Sequence, residues 1–218
     1  MVIGRKRQLK QKQLRWPKIE KKPTAAEAVI AIRTLIKYIG DDPDRSGLLN
    51  TPLRVIKAWK NDWGLGYDPF YVRNQTKSIL GGQFDDEAES YNAMICVRKI
   101  NFDSFCEHHM AIFSGTVDIA YIPTPDGKIL GLSKLVRVVN IFSKRLQIQE
   151  RLTTQIADFI EEKCNPIGVG VIVRAKHSCM CSRGVKQHET EAVTSALRGE
   201  IYSEPEVRDE FLRLVYNK

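Results

Sequence analysis

Apolar positions change their spacing along the chain, and the change divides it. Val29, Ile32, Leu35, Ile36 and Ile39 recur every three or four residues, the signature of one buried helix face. Thr24-Ala-Ala-Glu27 just ahead of them is a capping-box pattern, with a hydroxyl and a carboxylate each placed to take a free N–H of the first turn. Gly40-Asp41-Asp42-Pro43 ends that helix. Thr51-Pro52 starts a second, with Pro where no helical N–H is lost, and it runs to about Trp63 before Gly64 and Gly66. Residues 66–92 are polar and weakly periodic, which predicts irregular structure with room for a short helix.

From Ala93 the period falls to two. Ile95 and Val97 lead into Ile100, Phe102 and Cys106, with a break of alternation that predicts a bulge. Val117, Ile119 and Tyr121 alternate cleanly, and Pro123-Thr-Pro-Asp-Gly127 predicts a turn. Ser133 is placed to cap a helix striped by Leu135, Val136, Val138, Val139 and Phe142. Gln149 opens another that buries Leu152, Ile156, Phe159 and Ile160, closed by Asn165-Pro166. Val169, Val171, Val173, Ala175, His177, Cys179 and Cys181 share one face if a single strand runs through them. Ser203-Glu-Pro-Glu206 caps a terminal helix with Val207, Phe211 and Leu214. Helices, a strand pair, two helices, a strand and a helix read as an α+β chain. The segments are a basic tail (1–22), a helical region (23–92) and a catalytic domain (93–218).

Charge changes the picture less than its total suggests. The net charge is +8, and residues 1–22 hold nine basic residues against Glu20, which accounts for all of it. The body therefore balances, and with no aromatic-basic motif it is not expected to bind nucleic acid. The tail reads as a solvated arm. No apolar run reaches the length of a membrane span and no signal-peptide segment opens the sequence, so the expected location is cytoplasmic. Five Cys in a reducing compartment then point to metal or free thiols rather than disulfides.

The chemistry concentrates in two clusters, Cys106-Glu107-His108-His109 and His177-Ser178-Cys179, which hold three of the four histidines. Cys106 and His109 are three apart, so a thiolate and an imidazole can reach one ion from a single turn. A Cys from a distant segment would complete three ligands and leave the fourth position of a tetrahedral zinc open, as catalytic sites do. A structural zinc would need a fourth protein ligand; the third alternative is a core Cys beside a turn His with no metal. A zinc base deaminase uses similar residues but needs H-x-E and P-C-x-x-C, which these clusters lack.

Beyond these clusters, Thr51-Pro-Leu-Arg-Val55, Gly131-Leu-Ser-Lys134, Gln147-Ile-Gln-Glu-Arg-Leu152 and Arg183-Gly184 fall in register with them. The whole series resembles the signature motifs of GTP cyclohydrolase I, from about residue 26 to the C-terminus. The resemblance implies a tunnelling-type fold, an antiparallel sheet with helices on one face, built into a barrel-like homodecamer with shared active sites. It implies zinc-dependent hydrolysis of GTP to 7,8-dihydroneopterin triphosphate, with C8 released as formate, opening pterin and folate or deazaguanine synthesis. By matching position, Cys106, His109 and Cys179 would hold the zinc. His108 and His177 are candidates for protonating the guanine N7, beside the alternative that they only orient the ligands. Glu150 resembles the guanine-binding carboxylate, with Gln149 beside it. Ser133, Lys134, Arg137 and Arg183 would contact the triphosphate, and Ser133 is also linked to the later sugar rearrangement. Cys181 is outside the family's zinc set; strand alternation would permit either thiol, and the H-x-C match favours Cys179.

Because residues 1–22 lie outside every motif, deleting them is expected to leave the rate with GTP nearly unchanged. Kinetics with and without the tail check this; a large rise in the Michaelis constant, reproduced by high salt in the full chain, would show that the tail steers substrate.

Overall fold

The computed structural model describes residues 21–81, 83–84, 91, 93–124 and 129–216. Most of the basic tail and the centre of the turn expected at 123–127 lie outside the described residues. Two compact units divide the chain, one ending at Ile56 and one beginning at Lys57.

In the first unit, α1 (Ala25–Tyr38) starts with the capping box that the sequence encodes. Glu27 N–H donates to Thr24 Oγ1 at 3.3 Å, and Thr24 N–H donates to Glu27 Oε2 at 2.7 Å. The loop after it is braced by Arg33 on Asp44 and by Arg45 on Asp41. Helix α2 (Thr51–Ala58) crosses the division and continues to Trp63 as expected, but its last turn, Trp59–Trp63, is π-helical.

The second unit gives residues 66–92 a longer helix than the short one their weak periodicity leaves room for. Helix α3 (Pro69–Leu80) lies there, with Asp68 accepting from the Phe70 N–H at 2.9 Å and Pro69 in the first turn. Asp-Pro is a helix-start signal. It was hidden because α3 puts few apolar residues into the core, chiefly Val72 and Ile79.

Next come β1 (Gln83–Phe84), β2 (Ile95–Cys106), β3 (Ala111–Ile122) and β4 (Ile129–Leu130). Helix α4 (Leu132–Ser143), β5 (Leu146–Gln147) and α5 (Gln149–Cys164) follow, then β6 (Gly168–His177) and a four-residue helical turn, α6 (Ser178–Cys181). Strand β7 (Ala192–Gly199), the short α7 (Glu200–Ser203) and α8 (Pro205–Tyr216) complete the chain. The main sheet has the order β5-β2-β3-β6-β7, antiparallel except for the short β2–β5 pair. β1 pairs separately with β4. Among the described residues no helix is long and apolar enough to cross a membrane.

Alternate residues of the strands enter two different cores. Val117, Ile119, Tyr121, Val169, Val171 and Val173 meet Leu135, Val138, Val139, Leu152, Ile156 and Ile160 of α4 and α5. Ala120, Ile122 and Ile172 face the other way, against Ile201, Phe211 and Val215 of α7 and α8. Helices thus cover both faces, which corrects the expectation of one. Gly170 is part of the reason: a Cβ there would meet the Phe211 ring at 2.9 Å, so only Gly lets α8 lie this close.

Three further expectations are corrected. The strand stops at His177, so Cys179 and Cys181 sit on a helical turn and alternation does not apply to them. Gly131, not Ser133, occupies the N-cap of α4, and Ser133 is in its first turn. Strand β7 went unforeseen because its polarity is inverted: Val193 is half exposed, whereas Thr194 points inward with Ala196.

The foreseen bulge is present between Val97 and Ile100, where Lys99 takes a φ of 57°. The Lys99 N–H donates to Asp118 Oδ1 at 2.8 Å, and Arg174 pairs with the other carboxylate oxygen. The Arg174 guanidinium lies over the Tyr216 ring at 4.6 Å. One carboxylate, only 2% exposed, therefore ties the bulge, β3, β6 and α8 together. Asp118→Ala would strand a largely buried guanidinium and is expected to cost about 3 kcal/mol. A fall in the urea midpoint at unchanged slope would check it.

Candidate functional site

The site begins where β2 ends. Cys106 is buried, paired across the sheet with Ala111 of β3 and Gln147 of β5. The chain reverses through residues 107–110, held by Met110 N–H on Cys106 O at 2.8 Å and by Glu107 N–H on Gln147 O at 3.0 Å. Behind the strand end, Phe105 packs against Trp59 and Trp63, at centroid distances of 4.6 and 5.1 Å. The π-helical turn thus braces the residue next to the thiol. Arg151 of α5 clamps Glu107 with two bonds, 2.7 and 3.0 Å, and holds its carboxyl below the usual range.

This reversal raises His108 and His109 beside the thiol, with Nδ1 atoms 3.9 and 3.8 Å from Cys106 Sγ. The α6 turn brings Cys179 to the same place. The ligand atoms of Cys106, His109 and Cys179 all lie within 4.8 Å of one another. A tetrahedral zinc with Zn–S near 2.3 Å and Zn–N near 2.0 Å separates its ligand atoms by about 3.6 Å, so the spacing fits. Burial, and then the neighbouring Cys106 thiol, push the Cys179 thiol above its usual range. A cation bound beside a thiol is what favours its thiolate. His108 and Cys181 are not members of this group.

His177 ends β6 opposite Phe113, and the two rings stack at 4.5 Å, within 3° of parallel. Its Nε2 lies 2.8 Å from Gln149 Oε1. The Gln149 amide nitrogen donates toward Val173 O, Ala192 O and Thr194 Oγ1, at 3.1, 2.9 and 3.2 Å. With its N–H groups so engaged, the amide must offer oxygen to His177, which places the imidazole proton on Nε2. Burial lowers the His177 pKa, and the nearby Glu150 carboxylate opposes that shift.

Gln149 is 3% exposed and bonded at both ends of its amide, its oxygen to His177 and its nitrogen to β6 and β7. Glu150, next along the helix, is exposed. Lys134 and Arg137 face α3: Lys134 Nζ donates to Ser78 Oγ at 3.3 Å and Arg137 to Gln75 Oε1 at 2.7 Å. Ser133 is exposed on the first turn of α4. Arg183 is exposed after α6, with its charge acting on Cys179. Phe113, Thr194, Gln75 and Ser78 were not picked out from the sequence. Phe113 and Thr194 matter only through strand register, and Gln75 and Ser78 sit on the helix that periodicity missed.

Cys179→Ala is expected to abolish metal binding while Cys181→Ala retains it, because the α6 turn aims only the first thiol at Cys106. Zinc content of the two purified variants checks this; the opposite pattern would move the ligand.

The family model for GTP cyclohydrolase I matches residues 28–216. The chain is 50% identical over 186 residues to GTP cyclohydrolase 1 of Janthinobacterium sp. (strain Marseille), covering 85% of this chain and 89% of that one. It is 43% identical to the Maricaulis maris (strain MCS10) protein of the same name, over 90% and 92% of the two chains. For the Rickettsia bellii (strain OSU 85-389) protein, also named GTP cyclohydrolase 1, the identity is 46% over 91% and 98%. With a match over almost every described residue and relatives this similar along most of their length, the chain belongs to the GTP cyclohydrolase I family.

Proposed function

We propose that this protein hydrolyses GTP to 7,8-dihydroneopterin triphosphate with release of formate, the entry step of pterin and folate synthesis. The observation that carries the reading is the convergence of Cys106, His109 and Cys179 within 4.8 Å, in a chain of this family. These three residues would hold zinc. Bound there, it supplies Lewis-acid activation of water near neutral pH.

The chain's own residues account for the rest. Opening the imidazole ring of guanine needs a proton at N7, a task for an imidazole beside the metal. His177 is held for it: Gln149 keeps the proton on Nε2, the Phe113 ring fixes the plane, and Nδ1 is the nitrogen left for exchange. His108 stands beside Cys106, its Nδ1 3.9 Å from the sulfur. Glu150 offers a carboxylate at the start of α5, able to accept from the guanine N1–H and 2-amino group. Lys134, Arg137 and Arg183 supply positive charge for the triphosphate, with Ser133 at the open N–H groups of α4.

Two groups of site residues emerge, the metal cluster with Glu150 and the α4 cations on α3. This suits the family's assembly as a tunnelling-type homodecamer with sites shared between subunits, which we include in the proposal. Exposed apolar side chains support it: Leu132 at the head of α4, Phe70 and Tyr202 are 63%, 71% and 68% exposed. The same reading places the protein in the cytoplasm, and residues 93–218 as the catalytic part.

Incubation with GTP tests the proposal. Formate and dihydroneopterin triphosphate are expected in equal amounts, and chelation is expected to stop both. His109→Ala should lose the metal, whereas His108→Ala should keep it and lose turnover by orders of magnitude. Full activity in metal-free protein would overturn the reading.

A further inference from the structure

We propose that Gln75 and Ser78, on the polar edge of α3, are positioning residues that set Lys134 and Arg137 for the triphosphate; the inference rests on reading this as a GTP site. Gln75 and Ser78 are three residues apart on α3, and Lys134 and Arg137 three apart on α4. On each helix that spacing puts both side chains on one face, one turn apart. The pairs meet directly: Gln75 Oε1 accepts from Arg137 Nη1 at 2.7 Å, and Ser78 Oγ from Lys134 Nζ at 3.3 Å.

The chemistry of the acceptors is informative. An amide oxygen and a hydroxyl can fix a cation's direction without neutralising it, whereas a carboxylate would cancel the charge that an anion needs. Among the described residues neither Lys134 nor Arg137 has a carboxylate partner; the nearby Asp62 is taken by Lys144. The buried Arg137 Nε–H has no acceptor among the described residues. A guanidinium carries five N–H donors, so one bond to Gln75 leaves terminal N–H groups of the fork for a further acceptor. The Arg137 and Lys144 charges also act on Tyr71, one turn before Gln75, whose pKa burial raises and those charges lower. The α3 edge thus restricts two long, rotamer-rich side chains before any ligand arrives, and preorganisation of that kind raises affinity for the group they meet.

The test uses the full-length protein with GTP as substrate, and inorganic tripolyphosphate and guanosine as separate competitors. Gln75→Met keeps the side-chain length and removes the acceptor; Ser78→Ala removes the hydroxyl. Together they are expected to raise the KM for GTP and the inhibition constant of tripolyphosphate in step, each by about tenfold. Within the same variant kcat stays within about twofold and guanosine inhibition is unchanged. Gln75→Glu restores an acceptor but adds a charge, and is expected to weaken tripolyphosphate at least as much; a merely structural contact would instead be rescued by it. An unchanged tripolyphosphate constant in Gln75→Met or Gln75→Glu protein of native melting temperature overturns the inference. If the unmodified protein forms no product from GTP, the reading of the site has failed, and direct calorimetry of tripolyphosphate binding to the same variants still decides whether α3 positions the cations.

Discussion

Everything at the metal cluster depends on the register between β3 and β6. Ten consecutive pairs run from Phe113↔His177 to Ile122↔Gly168. A slip of one residue would turn Val169, Val171 and Val173 out of the core and rotate His177 away from Phe113. Burial of those valines therefore sets the position of the histidine. The bulge at Val97–Ile100 gives β2 its own offset, and Asp118 locks that offset by binding the bulged N–H. With both strands fixed, the end of β2 and the end of β6 fall in one corner, and two short turns deliver the remaining ligands.

The first turn of α5 shows how a helix can serve three purposes in three residues. Gln149 points inward, buried, and orients His177. Glu150 points to solvent beside the same imidazole. Arg151 reaches sideways to the loop that carries His108 and His109. Successive side chains on a helix are about 100° apart, so three neighbours can face three surroundings. Thr153, one turn on, bonds Gln149 O at 2.8 Å and lies 2.6 Å from Thr194 Oγ1, so the amide is backed by a second layer.

Burial and charge act against each other throughout the site. Burial pushes Cys179 up and His177 down, each toward its neutral form. Arg183 and Glu150 oppose those pushes from exposed positions. Groups kept neutral by burial but close to opposing charge can change state when a cation or a ligand arrives. The α4 cations follow another logic, since their partners on α3 are neutral and leave the charge intact.

The sequence by itself determined the helices with strong periodicity or capping, the strand pair, the bulge and the residues that make up the metal group. These signals are local: a capping box, an alternation or a C-x-x-H spacing needs only a few neighbours. Tertiary structure decided the rest. It ended β6 at His177 and brought Cys179 to Cys106 and His109 through a helical turn. It buried the polar Gln149, because three acceptors from β6 and β7 converge there. It recruited β7 against its own alternation, since Thr194 faces inward to a hydrogen-bond network. It turned a polar stretch into α3, whose outer edge matters only once α4 lies against it. In each case the deciding partner lies 24 or more residues away in the chain, beyond the reach of any local pattern.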